Sequence, residues 1–209
     1  MKRFLFFILQ SSIFIGCATA QPLMRDIFAA MPDSVQPMVT KNNRLDCIDF
    51  IENNMEARVR NKADEFVTLE ALTADYARFR TSDVSVMELK LLGNVLCVVT
   101  TAQTGEEGTS CRLEDSNIRF YTPEWLPLQA HTFKTPAVES FFTELTPETE
   151  AARRSLASFH PVKLQLSPEE VTLTATLQTS LLTTSEKEAV RDVLQPVVLR
   201  WNGTSFVQE

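Results

Sequence analysis

The chain has 209 residues, 44% of them hydrophobic, and a formal net charge of −7, so it can bury a substantial core and carries excess acid. A phosphate-binding surface needs clustered lysine and arginine, and the sequence has no such cluster, which argues against nucleic acid as a partner. Only five glycines are present, and the glycine patterns of nucleotide-binding loops are missing.

The N-terminus predicts a secretory signal peptide over residues 1–20. Two basic residues precede an apolar run from Phe4 to Gly16, which is shorter than the ~20 residues that cross a bilayer. Ala-Thr-Ala at 18–20 fits the small-x-small cleavage pattern, with the cut before Gln21. Removing this leader takes away two cations and no acid, so the formal charge changes from −7 to −9.

Lipidation is the alternative fate of the leader. Gly16-Cys17 resembles the end of a bacterial lipobox, in which Cys17 would carry the lipid and anchor the chain to the outer membrane. On either path the mature chain is exported to the periplasm or beyond, and no transmembrane span is expected in it.

Two helices are predicted at the start of the mature chain. Pro22 suits the first position of a helix, and Pro32 ends the apolar stripe that follows it. Asn43 as the N-cap, with Asp46 three positions later, predicts the start of the second helix. Both helices present apolar stripes, so we expect them to pack against one core from the same side.

Five strands follow in quick succession. Period-two alternation indicates "EFVTLEAL", "YARFR" and "SVMELKLL", the apolar β-branched run "NVLCVVTTA" is typical of a buried strand, and "NIRFY" is the fifth. Short connections make this pattern typical of an antiparallel meander with one covered face and one wet face. Glu88 and Lys90 alternate with apolar neighbours, so they are expected on the wet face.

The second half begins with a long connection. Residues 122–136 contain three prolines and little periodicity, which marks a seam. Apolar spacing predicts helices over 138–145 and 146–157. Hairpins are predicted for "PVKLQL" with "VTLTATLQT" and at Asn202-Gly203, and Ser185-x-x-Glu188 predicts a capping box that opens a last helix.

The order of elements predicts an α+β fold. Strands rarely alternate one-for-one with helices, which disfavours the α/β class. We expect antiparallel sheets packed by an N-terminal and a mid-chain helix pair, with two similar helix-plus-sheet halves as an open alternative. Residues 21–209 are expected to form a single α+β domain with the seam at 122–136.

Three cysteines follow the leader, and export favours their pairing. A hairpin centred near Thr104 would set Cys97 opposite Cys111, within reach of a disulfide; two reduced, packed thiols are the alternative. Cys47 lies on an apolar helix stripe with no basic partner nearby in sequence. We therefore expect a packed thiol there, not a nucleophile.

Candidate sites are few. Asp46, Asp49 and Glu56 form an acidic line on the second helix, which suits either a cation or solvent. The chain has two histidines, too few for a histidine-rich zinc site. Asp33-Ser34-Val35 matches an acceptor pattern for bacterial O-glycosylation at Ser34. No catalytic, cofactor-binding or metal-binding residues are predicted, and no cofactor.

Several stretches together resemble a secreted Bacteroidales family that is known only as domain of unknown function 3256. They are "AAMPDSVQPMVTKNNRLDCIDFIENNMEARVRN", "LTADY", "MELKLL", "SNIRFYTPEWLPL" and "LRWNG". The resemblance runs from about Arg25 to Phe206. It implies export to a Gram-negative cell envelope and supplies no activity or site residues.

We predict a non-catalytic binding or assembly module of the cell envelope. This rests on the predicted export, the well-patterned core and the lack of reactive residues that would meet in one site. The partner of this module would be an envelope protein or a glycan, bound through a sheet face or the helix pair. Two alternatives stay open. One is an envelope hydrolase that uses Asp46 or Asp49, and the other is an inhibitor-like protein that caps a partner.

Overall fold

A computed structural model of the chain describes residues 23–105 and 112–208. The predicted leader, Cys17 and Cys111 lie outside the described residues. The helices are α1 (Met24–Ala29), α2 (Lys41–Glu52), α3 (Glu150–Ser158) and α4 (Thr184–Val190), with a 3₁₀ helix at Val138–Phe141. The strands are β1 (Arg58–Arg60), β2 (Phe66–Leu72), β3 (Tyr76–Ser82), β4 (Ser85–Leu92), β5 (Val95–Thr104), β6 (Leu113–Tyr121), β7 (Val162–Leu166), β8 (Thr172–Leu177), β9 (Val197–Trp201) and β10 (Phe206–Gln208).

Strands β1 to β6 form one antiparallel sheet in sequence order. This confirms the predicted meander, to which the structure adds the three-residue strand β1 at one edge. The remaining strands form a second antiparallel sheet in the order β10-β9-β8-β7. Its last hairpin turns at Gly203, whose φ of +102° favours glycine. The α+β class is confirmed.

Each face of the six-stranded sheet covers a different core. On the helix face, α1 and α2 pack against β2 to β5 through buried residues such as Phe28, Ile48 and Phe79. On the other face, which we call the inter-sheet face, side chains such as Cys97 and Phe120 share a core with the second sheet, α3 and the 3₁₀ helix. The six-stranded sheet is thus the middle layer of the molecule.

The prediction that one face of the sheet is exposed to solvent is therefore wrong for "SVMELKLL", which is β4. Glu88 and Lys90 are only 2% and 1% exposed, because β7 of the second sheet crosses over β4, β5 and β6. Lys90 Nζ lies 2.8 Å from Asp75 Oδ2 and donates to the carbonyl of Pro168 across the sheets at 2.9 Å. Lys90 is thus buried between the two sheets and still has an acidic partner and a carbonyl acceptor.

Helices α2 and α4 both begin earlier in the chain than their predicted N-caps, Asn43 and Ser185. Helix α2 is capped by Thr40, and Asn43 is instead the third residue of that capping box. Helix α4 is capped by Thr183 with Glu186, not by Ser185 with Glu188. In both cases a threonine upstream of the predicted cap accepts the hydrogen bond from the third helical amide.

The helix predicted over 138–145 is wrong beyond its first turn. Only Val138–Phe141 is helical, as a 3₁₀ turn, and Phe142 adopts an extended conformation. Phe142 pairs with Leu194, and the flanking amide of Thr143 donates to Val193 O at 2.8 Å. Hydrogen bonds to a distant segment therefore replace the helical ones.

The hairpin register expected around Cys97 is also wrong. Cys97 pairs with Phe120, and Thr104 pairs with Leu113. Thr104 is therefore still paired in the ladder and is not the centre of the turn; Cys97 lies seven positions before it in β5, about 23 Å at ~3.3 Å per residue. Cys97 is a buried free thiol in the structure.

Candidate functional site

The inter-sheet face carries a pocket of about 80 Å³ beside the apolar core, which we call the charged pocket. Most of the residues around it are charged or polar. Its lining consists of Arg78, Arg80, Val86, Glu88, Thr101, Gln103, Arg112, Glu114 and Lys163.

Strand alternation explains why these side chains converge. In the antiparallel ladder Arg78 lies opposite Glu88, and Thr101 lies opposite Ser116, so their side chains project from the same face. Toward Cys97 that face is covered by the second sheet and is mostly apolar apart from Lys90, which lies opposite Cys97. Toward Thr101 the face is polar. Lys163 enters from β7 above it.

Glu88 is the most deeply buried carboxylate of the pocket, with 2% of its surface exposed. Its Oε1 atom accepts hydrogen bonds from the Tyr76 hydroxyl at 2.7 Å and from Arg78 Nη1 at 2.9 Å. Burial, and next the hydrogen bond to Glu88, raise the pKa of the Tyr76 hydroxyl above its ordinary value of 10.0. Tyr76 therefore stays protonated and acts as a fixed donor to Glu88.

Two further carboxylates orient the remaining cations. Glu70 accepts from Arg78 Nε and from Arg80 Nε, each at 2.7 Å, one bond to each oxygen. Glu114 lies 2.9 Å from Lys163 Nζ and 3.4 Å from Arg112 Nη2. Acidic side chains therefore hold all four lining cations in place.

Counted over residues 23–105 and 112–208, the charge balance of the charged pocket is positive. Four cations line it against two carboxylates, and Glu70 at its margin is the third carboxylate in the network. A guanidinium has five N–H donors, so Arg78 and Arg80 retain donors beyond those given to Glu70 and Glu88. The pocket is much smaller than the ~300 Å³ of a typical small-molecule site. It can hold one anionic group, but not a whole ligand.

The acidic residues predicted on α2 do not contribute to this pocket. Asp46 and Asp49 are exposed on α2, which packs on the opposite, helix face of the sheet. Glu56, predicted on the same helix, is also exposed but lies beyond the end of α2 at Glu52. Within residues 23–105 and 112–208, no three or more His, Cys, Asp or Glu side chains group in a way that could hold a metal ion.

Ser34 lies exposed in the turn that follows Pro32. Arg44 of α2, which is 2% exposed, donates to Val39 O at 2.7 Å and contacts Asp33 at 3.4 Å, so it ties down both ends of this turn. The serine is accessible on an ordered loop, and its O-glycosylation stays a prediction.

Cys47 lies in the helix-side core. Its Sγ–H donates to the carbonyl of Ala57 at 3.6 Å, and burial raises the pKa of the thiol to about 12. Burial likewise raises the pKa of the Cys97 thiol well above its ordinary value. Both groups remain protonated thiols at neutral pH, which does not suit a nucleophile.

Sequence reasoning missed the charged pocket entirely. Arg78, Arg80 and Glu88 stand at alternating strand positions, which is also the pattern of a solvated sheet face. The available signal was that two adjacent strands place arginines opposite an acid, as cross-strand pairs do. Nothing in that pattern indicated that a second sheet would cross above them.

In the described part of the chain, no helix combines the length and apolar character that crossing a bilayer requires.

Among solved structures, the chain is similar to a domain of an uncharacterized protein from Porphyromonas gingivalis W83. The two share 27% sequence identity with a TM-score of 0.69, over 89% of this chain and 97% of that one. No curated protein matches the sequence significantly. The family model described as "Protein of unknown function (DUF3256)" matches residues 18–206. The chain therefore belongs to the DUF3256 family.

Proposed function

We propose that the protein is an exported, non-catalytic binding module of the cell envelope, and that the charged pocket binds an anionic group of its ligand. The observation that carries this proposal is the excess of cations over carboxylates among the described residues of the pocket, together with the spare guanidinium donors of Arg78 and Arg80, within a chain whose net charge is −7. A local positive site on an acidic protein attracts anions and leaves the rest of the surface repulsive to them.

The arrangement of the carboxylates favours binding over hydrolysis. A hydrolase needs an acid and a base that are free to exchange protons with a substrate. Here Glu88 is engaged by Tyr76 and Arg78, and Glu114 by Lys163. These carboxylates orient cations, while the spare guanidinium N–H groups are left for a ligand.

Titration calorimetry with sodium galacturonate and with inorganic phosphate tests the site. We expect the wild type to bind at least one of these probes. Arg80→Ala should weaken binding roughly ten- to hundredfold, since a hydrogen bond to a charged group contributes ~1.5–3 kcal/mol. Arg80→Lys should fall between the two, because it keeps the charge and loses the planar fork.

Arg119→Ala is the matched control. Arg119 lies on the same sheet but lines a cavity on its helix face with Met87 and Val98, so this variant removes the same charge from the other side. Its affinity should equal that of the wild type. Equal losses for Arg80→Ala and Arg119→Ala, or no binding of either probe by the wild type, would overturn the proposal.

Export is tested on protein isolated from the native cell. Mass spectrometry of the mature N-terminus should find Gln21 in first position after simple secretion, or a diacylated Cys17 after lipidation. A full-length chain in the cytosol that still begins at Met1 would contradict export.

A further inference from the structure

The inter-sheet face continues past the charged pocket to β1, where two arginines and a phenylalanine form what we call the edge cluster: Arg58, Arg60 and Phe66. The guanidinium carbons of Arg58 and Arg60 lie 3.7 Å and 4.4 Å from the centre of the Phe66 ring. Phe66 is 37% exposed. Stacking on the ring orders both cations at the edge of the sheet.

Of the two arginines in the edge cluster, one is paired with an acidic side chain in the described part of the chain and the other is not. Arg60 lies 2.9 Å from Asp64 Oδ1. Arg58 is exposed and has no ion pair with any residue in 23–105 or 112–208. The edge cluster therefore adds positive charge to a face on which the charged pocket is already positive.

Strand register places the edge cluster and the charged pocket on one continuous face. Arg58 pairs with Thr68, and Thr68 pairs with Arg80, so these three side chains form a row across β1, β2 and β3. From Arg58 on β1 to Arg80 on β3, outside the strands that β7 covers, there are two strand spacings, about 10 Å at ~4.8 Å each. The cations are thus spread along a line that crosses the strands.

We propose that this face binds an extended acidic oligosaccharide, with one carboxylate in the charged pocket and a second at the edge cluster. This inference rests on the proposed function of the charged pocket and identifies the class of ligand. The spacing of the cations matches a chain with several anionic groups better than a single small anion.

The neutral side chain between the two groups of cations favours a sugar chain over a peptide. Thr68 is half-buried and lies between Arg58 and Arg80 in this row, and its hydroxyl suits the hydroxyls of a saccharide. A peptide that a sheet recognises in extended form usually pairs with a strand edge. A ligand that crosses the strands cannot form those backbone hydrogen bonds.

The test compares galacturonic acid with its linear hexamer by titration calorimetry on the full mature chain. We expect the hexamer to bind at least about tenfold more tightly than the monomer, because a second contact raises the effective affinity. The double variant Arg58→Ala/Arg60→Ala should weaken hexamer binding about two- to tenfold, the range for exposed ion pairs. It should leave monomer binding unchanged.

The matched control is Arg119→Ala/Arg154→Ala, which removes two cations that lie on the helix face and on α3. It should bind the hexamer like the wild type. An oligonucleotide and a poly-glutamate of similar length serve as rival ligands, and tighter binding of either than of the hexamer would overturn the assignment to a saccharide.

The outcomes separate the two proposals. If the monomer binds and the hexamer is no tighter, the extended ligand is wrong and the charged pocket stands. If hexamer binding is insensitive to Arg58→Ala/Arg60→Ala, the edge cluster is not part of the site. If neither saccharide nor phosphate binds, the proposed function itself fails.

Discussion

At the residue scale, the buried charges of the described chain are matched one by one. Glu88 is held by Tyr76 and Arg78, and Lys90 by Asp75 and the Pro168 carbonyl. A buried charge without a partner costs several kcal/mol. The second sheet therefore covers a charged strand face only because these partners are in place.

Lys90→Met tests whether that pairing joins the sheets. The variant leaves the Pro168 carbonyl without its donor, so we expect the free energy of unfolding in urea to drop by ~1–3 kcal/mol. Lys62 is the matched control, because it also donates to a proline carbonyl, at 3.0 Å, and lies near an aspartate, but its side chain is 49% exposed. Lys62→Met should cost less than ~1 kcal/mol, and equal losses in the two variants would contradict a buried link.

The thiol of Cys47 predicts a pH dependence of stability. Burial raises its pKa from 9.0 to about 12, so the folded state holds the proton more tightly than the unfolded state. Its contribution is complete below pH 9 and is lost as the pH rises toward 12. Urea unfolding at a series of pH values should show a steeper decline above pH 9 for the wild type than for Cys47→Ala, and parallel curves would rule out this origin.

At the element scale, capping decides where the short helices begin. In α4 the Thr183 hydroxyl accepts from the amide of Glu186, and the Glu186 carboxylate accepts from the amide of Thr183 at 2.8 Å. The motif Ser185-x-x-Glu188 is an equally good capping box by sequence, so residue type alone does not choose between the two. The structure begins the helix at the earlier one.

Single substitutions distinguish these caps. Thr183→Ala should lower the free energy of unfolding by ~0.5–2 kcal/mol, because it removes the acceptor for the third helical amide. Ser185→Ala lies inside the first turn of α4, so it should change stability by less than ~0.5 kcal/mol. Urea unfolding of both variants checks this, and the reverse order would place the cap at Ser185.

Elements defined by local signals were predictable, and those defined by distant partners were not. Alternation was enough for the meander and for the hairpin of β7 and β8, and Asn202-Gly203 for the last turn. The apolar spacing of Phe141 and Phe142 suggested a helix, yet pairing with Leu194 extends the chain there. That partner lies far away in sequence and leaves no local signal.

At the scale of the whole molecule, the six-stranded sheet carries a core on each face. Trp125 belongs to the helix-side core, where its Nε1–H donates to Ile27 O at 2.8 Å. Trp201 packs beside the inter-sheet core, with its ring centre 5.7 Å from that of Phe120. Because one sheet supports both cores, we expect them to unfold together.

The two tryptophans allow a direct check of this cooperativity. Trp125→Phe leaves Trp201 as the single reporter, and Trp201→Phe leaves Trp125. Within each variant, the fluorescence and circular dichroism transitions in urea should coincide. A Trp201 transition that precedes the loss of secondary structure would show that the second sheet unfolds independently.

The candidate site was the least predictable feature, because it depends on how whole layers meet. Charges at Arg78, Glu88 and Lys90 alternate along strands as solvated residues do. The burial of Glu88 and Lys90 follows from the crossing of β7 over β4 to β6, which no short window of sequence specifies. The acidic line of Asp46 and Asp49, which stood out in the sequence, lies exposed on the other side of the sheet.

The central claim is that the charged pocket binds an anionic group, and arginine side-chain NMR tests it most directly. Titration of labelled protein with galacturonate should shift the Nε–Hε resonances of Arg78 and Arg80 and leave that of Arg119 unchanged. Shifts confined to Arg119, or no shift at Arg78 and Arg80 at saturating ligand, would contradict the claim.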